Sequence, residues 1–257
     1  MTPGKLSILF LFFIFPLLVP GQEGEKAFAS MKEADASIEA ENYAQALKKY
    51  EVALPYFLEK KDWFRVAYLY LWMGEAAYGE GNYNKALEFT QKSQSVAEAN
   101  LRVDTLSYYS LIHQNLGVFY SALGDFEHQL KHYELAFQQA LQFHGRESPQ
   151  AADAYFSIGV AYGRRGDWNR CISYTDTSLQ ISQVIDYQGG IASAYINLAH
   201  AFAVKEDYAK AIEYQTQALN LSSSKAETAR GYNNLGMYYN DLGELQPALN
   251  NLKKALR

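Results

Sequence analysis

The chain has 257 residues, 49% of them hydrophobic and 20% charged, with a formal net charge of −5. That composition supports a folded core, and an acidic balance without a basic cluster argues against a nucleic-acid partner, whose phosphates need Lys and Arg. Tyr supplies 21 of the aromatic residues, and its apolar ring with a polar tip suits half-buried helix surfaces.

The first segment reads as an export signal. Lys5 precedes an apolar run from Leu6 to Val19, broken only by Ser7 and Pro16, and the small residue Gly21 follows. Residues 1–21 are therefore expected to be a cleavable signal peptide, cut before Gln22, with a bacterial periplasmic or secreted destination. The run has 14 residues, fewer than the roughly 20 that cross a bilayer. No membrane span is expected in the mature chain, and retention of the segment as an anchor is the alternative. The only cysteine, Cys171, has no intramolecular partner for a disulfide, so stability has to come from packing. Residues 22–26 read as a short lead-in.

From residue 27 onward one pattern recurs. Turn signals stand at Glu41-Asn42-Tyr43, Gly81-Asn82-Tyr83, Gly124-Asp125-Phe126, Gly166-Asp167-Trp168, Glu206-Asp207-Tyr208 and Gly243-Glu244-Leu245. Each precedes a rung at Ala46, Ala86, Gln129, Cys171, Ala211 or Ala248, at intervals of 40, 43, 42, 40 and 37 residues. Upstream lie Leu116-Gly117-x-x-Tyr120, Ile158-Gly159-x-x-Tyr162, Leu198-Ala199-x-x-Phe202 and Leu235-Gly236-x-x-Tyr239. At helical periodicity these three positions share one face, and the small one lets a second helix come close. Gly at the turn tolerates positive φ, and Asp or Asn caps the following helix. Each unit is thus expected to be helix, tight turn, helix, and the fold class all-α.

This combination resembles the tetratricopeptide repeat over roughly residues 27–257. The usual unit is about 34 residues. The longer units here are similar to the kinesin-light-chain-like subgroup, as is the junction from Gly145 through Ser148 and Pro149 to Gly166, where Ser148 is expected to cap a helix and Pro149 to occupy its first position. The resemblance implies a right-handed superhelical α-solenoid of about six stacked hairpins. The chain stops at Arg257 within the second helix of the sixth unit, so that unit reads as truncated and a downstream domain is an expectation.

The resemblance also implies that first helices line a concave groove. The positions opposite the packing face are Leu111, Asn115, Val118 and Ala122; Asp153, Ser157, Val160 and Arg164; Ser193, Asn197, His200 and Val204; Arg230, Asn234, Met237 and Asp241; and Tyr68, Trp72, Glu75 and Gly79. Of these, Asn115, Val118, Ser157, Arg164, Asn197, His200, Arg230, Asn234 and Met237 are the candidate peptide-binding set. An amide both donates and accepts, which suits a ligand backbone; local helix contacts are the alternative use for Asn115, Asn197 and Asn234. Trp72 is either a groove anchor or core.

His128 and His132 have metal-ligand spacing, but lack the adjacent Glu and third ligand of a zinc-protease helix. Cys171 sits at a packing rung. No phosphate loop, nucleophile elbow or dinucleotide fingerprint is present, so no enzyme activity, cofactor or metal is expected. The function expected is a protein-interaction scaffold for a peptide or partner protein. The alternative is the sensory front end of a longer histidine kinase, helix-turn-helix regulator or caspase-like peptidase.

Overall fold

The computed structural model describes residues 21–101 and 107–256; the expected export signal lies outside the described residues, Gly21 excepted. The described residues form twelve helices and no strand: α1 (Gln22–Glu39), α2 (Tyr43–Glu59), α3 (Trp63–Gly79), α4 (Tyr83–Asn100), α5 (Ser107–Ala122), α6 (Phe126–His144), α7 (Pro149–Arg164), α8 (Trp168–Val184), α9 (Gln188–Val204), α10 (Tyr208–Asn220), α11 (Lys225–Asp241) and α12 (Leu245–Ala255). They pair as six hairpins. Residues 22–26, read from sequence as a lead-in, are the opening turns of α1.

The turns work by the expected chemistry. Glu41, Gly81, Gly124, Gly166, Glu206 and Gly243 all have positive φ, between 58° and 89°. The next residue caps the second helix at five of the six turns: Asn42, Asn82, Asp125, Asp167 and Asp207 each accept from the backbone N–H three residues on. Glu244 makes no such side-chain bond. Ser148 caps α7, with Pro149 at its start. The same left-handed turn also joins α2 to α3 at Lys61 and α8 to α9 at Asp186, where no glycine marks it. Connections within hairpins are short, so the unit's extra length lies in the helices, which run to 19 residues in α6.

Inside each hairpin the small residue of the first helix meets a side chain sixteen positions later on the second. A Cβ on Gly74 would stand 2.3 Å from Thr90 Oγ1, one on Gly117 2.3 Å from the Tyr133 ring, one on Gly159 2.7 Å from Thr175 Oγ1 and one on Gly236 2.6 Å from Leu252. Ala34 and Ala199 hold the same rung and are fully buried. The second-helix rungs Ala46, Ala86, Gln129, Cys171, Ala211 and Ala248 are buried as well, as are Leu116, Ile158, Leu198 and Leu235. A second tie recurs twenty-six positions apart: Ser93 Oγ donates to the Ala67 carbonyl (2.8 Å), Ser178 Oγ to Ala152 (2.8 Å), and, with the roles exchanged between helices, Ser110 Oγ to Ala136 (3.3 Å).

The aromatic of the Leu-Gly-x-x-Tyr pattern is less uniformly buried than its place on the packing face implies. In α5 Phe119 is fully buried while Tyr120 is half-buried, and in α11 Tyr238 takes the interior while Tyr239 is half-buried. Tyr120, Tyr162 and Phe202 instead lie along the second helix, stacked on the ring twelve residues later: His132, Tyr174 and Tyr214.

The approach at the small rung allows no additional atom where backbone lies behind it. Gly159→Ala, whose methyl meets the Thr175 hydroxyl and the Cys171 carbonyl oxygen at 3.2 Å, is expected to cost roughly 1–3 kcal/mol, read as a lower urea midpoint with an unchanged m-value.

Candidate functional site

Each hairpin packs on its chain neighbours, and first helices also touch across units where α3 meets α5 and α7 meets α9. The tetratricopeptide resemblance assigns the outward positions of these first helices to an inner wall. Among the described residues no helix is long and apolar enough to cross a membrane.

Along that wall the candidate residues divide into two kinds. Asn197 donates from Nδ2 to Thr175 Oγ1 (2.8 Å) and lies 3.5 Å from the Cys171 sulfur, and Asn234 donates to Gln215 Oε1 (3.0 Å). Both amides bridge from a first helix to the second helix of the preceding hairpin, which is the local-contact use left open by the sequence. Asn115 and Ser157 are half-buried, and Val118 packs against the cores on both sides of α5. Arg164, His200, Arg230 and Met237 are exposed. Arg164 reaches across to the Ser121 hydroxyl, His200 sits edge-on to Trp168 at 5.4 Å, and the Met237 thioether lies 3.6 Å from the Asn233 amide. Trp72 is half-buried against the first core cluster, 6.0 Å from the Tyr68 ring, so its side chain serves packing.

Half-buried carboxylates were a weaker signal in the sequence. Asp35 in α1 and Glu75 in α3 each stand six residues before the turn, as Val118 does in α5, so counting back from the turns locates them. Asp35 accepts from Tyr50 (2.7 Å) and Tyr68 (3.0 Å), tying α1 to α2 and α3. Burial pushes both carboxyls above the ordinary carboxylate range, and for Asp35 the tyrosine bonds pull partly back. Asp153, on the inner face of α7, is pushed up to about 6 by burial against the opposing hydrogen bond from Tyr187 (3.5 Å).

The candidate metal pair separates. His128 Nδ1 pairs with Asp125 at 2.8 Å, whereas His132 Nδ1 meets His113 Nδ1 at 3.0 Å. No group of three or more His, Cys, Asp or Glu among the described residues is arranged to hold a metal ion. Cys171 is buried, and that burial raises its thiol above the usual value, which disfavours the nucleophilic thiolate.

Comparison with known proteins decides the family. The tetratricopeptide repeat model matches residues 104–183, 158–224 and 190–257. The chain belongs to the tetratricopeptide repeat family. The first two hairpins precede the matched residues and carry the same turns and rungs. Among solved structures, the chain is similar to BtubC (BKLC) from P. vanneervenii, with 19% identity, 90% of each chain covered and a TM-score of 0.70. It is also similar to a signal transduction ATPase with numerous domains and a tetratricopeptide repeat sensor from Pyrococcus horikoshii, with 17% identity, a TM-score of 0.68, and 90% of this chain but 41% of that one covered. A third is the apo quorum sensor NprR from B. thuringiensis, with 12% identity, a TM-score of 0.70, and 90% and 64% covered. At these identities the likeness is one of fold.

A raised carboxyl stabilises the fold in its protonated form, and that contribution is lost as pH rises through the folded value, here about 6 for Asp153. Asp153→Asn is therefore expected to raise the melting temperature at pH 7.5, and the gain shrinks toward pH 4.5; a gain independent of pH would show that the charge is not the cause.

Proposed function

We propose that the chain is a protein-interaction scaffold that holds a peptide or partner protein along the inner wall of its first helices. The observation that carries this reading is the division of labour on those helices. The small rung that meets the second helix is Gly or Ala in every hairpin, while the wall positions differ in chemistry from unit to unit and leave His200, Arg230 and Met237 exposed. A packing-only surface has no need for such variety, and a surface that reads a ligand side chain by side chain does. The tetratricopeptide fold supports the reading by family, although one scaffold serves unrelated partners.

A second reading makes the array the sensory module of a longer signalling protein or enzyme. It is favoured by the match to part of the P. horikoshii ATPase, in whose description the repeats are the sensor. The reading frame beyond codon 257 separates the two. In either case we place the chain outside the cytoplasm on the strength of residues 1–21, and cell fractionation with tracking of the N-terminus tests that placement.

The binding surface is tested by site-specific photo-crosslinking in the producing cell. A crosslinker at Met237 or His200 is expected to capture a discrete partner, and one at Gln217, exposed on α10, is not. Equal capture at all three positions, or at Gln217 alone, argues against the inner wall.

A further inference from the structure

The third hairpin departs from the fourth and fifth at a stack of rings. In the fourth hairpin the Arg170 guanidinium lies over the Tyr162 ring at 5.1 Å, and that ring stacks on Tyr174 at 5.5 Å and 19°. In the fifth, the Lys210 ammonium lies over Phe202 at 4.8 Å, and Phe202 stacks on Tyr214 at 5.5 Å and 9°. Both are a permanent cation, a ring and a second ring, none of which changes charge in mild acid. In the third hairpin the equivalent positions are His128, Tyr120 and His132, with ring centroids 4.9 Å and 5.4 Å apart. His132 of α6 then meets the buried His113 of α5 through their Nδ1 atoms at 3.0 Å.

Two facing imidazoles hold one hydrogen bond when one nitrogen carries a proton and the other does not. A first added proton still leaves an N–H donor facing a free nitrogen within the pair. A second puts two N–H groups and two positive charges against each other inside the hairpin, with no acceptor between them. We propose that the His113–His132 contact makes the third hairpin an acid-sensitive hinge: protonation of the pair parts α5 from α6 while the flanking hairpins stay closed. Because each hairpin in such an array contacts only its neighbours in the chain, opening there uncouples the first two hairpins from the last three and breaks the continuity of the inner wall.

The charged groups facing the pair are few. α4 contributes Glu98, which favours the protonated form of His113; α6 contributes Lys131 and His128, which disfavour that of His132. His128 is itself held by Asp125. Burial outweighs Glu98, so His113 is held below the usual histidine value, and His132 is lowered to about 4, by burial first and by His113 second. For a histidine lowered in the fold, the unfolded or opened state takes protons first, so stability declines as pH falls from about 6.5 toward about 4. The buried carboxyls Asp35, Glu75 and Asp153 shift in the opposite sense and gain from protonation. A global melting curve mixes the two signs, so the readout has to be local.

Hydrogen exchange of the chain, resolved by peptide and corrected for the intrinsic pH dependence, supplies it. On moving from pH 7.5 to pH 5.0, peptides from α5 and α6 are expected to exchange at least fivefold faster while those from α8 and α9 change less than twofold. His132→Tyr, which installs the residue that Tyr174 and Tyr214 provide in the next two hairpins, is expected to bring the α5–α6 change below twofold. If that variant does not protect the hairpin at pH 7.5, His113→Gln takes its place under the same criterion. A change below fivefold in the wild-type hairpin, the same change in α8 and α9, or an undiminished change in the variant overturns the proposal.

Discussion

The distance at which two helices of a hairpin can lie is set by the smallest side chain between them, and in this protein that side chain comes at a fixed interval before its partner. Gly74, Gly117, Gly159 and Gly236 each leave a space that the residue sixteen positions later already fills, so closely that a single methyl group would fall within 2.3–2.7 Å of it. Interiors are packed near crystal density, so such a rung admits one separation and one register. Ala34 and Ala199 meet the same requirement with one carbon more and remain fully buried. With the hairpin geometry held constant, the next hairpin meets the same surface each time. A chain whose contacts are mostly between neighbours then grows into a regular stack.

Much of this is legible before any coordinates. Glycine or a polar residue that tolerates positive φ, followed by Asn or Asp, reports both the end of one helix and the cap of the next, and the apolar-small pair eight residues earlier reports the face. What escapes is whatever depends on a partner far along the chain. Lys61 and Asp186 adopt the left-handed turn between hairpins without the glycine that advertises it. Tyr238 and not Tyr239 enters the interior of α11, since adjacent aromatics on a helix differ by only 100° and the neighbouring helix decides between them. His128 and His132 have metal-ligand spacing without a third ligand, and the partners they do find, Asp125 and His113, are not marked by that spacing.

The candidate wall shows the same division. Asn197 and Asn234 look alike in sequence to residues that read a peptide, and their amides are engaged with Thr175 and Gln215 of the preceding hairpins. They are bolts between units. On the proposed function, recognition falls to the exposed set of Arg164, His200, Arg230 and Met237, whose chemistry differs from rung to rung. A scaffold can change these without disturbing its rungs, which is the physical reason one repeat architecture accommodates many partners and why fold alone names none.

The central claim is that the contact at the small rung, and not a general preference for helix, sets the stack. A double-mutant cycle between Gly117→Ala and Tyr133→Val, followed by urea unfolding of the chain, tests it most directly. With the ring removed the added methyl has room, so the alanine is expected to cost at least ~1 kcal/mol less in the valine background than in the wild type. An equal cost in both backgrounds would mean that Gly117 and Tyr133 are not in contact as described, and would contradict the close approach on which the hairpin depends.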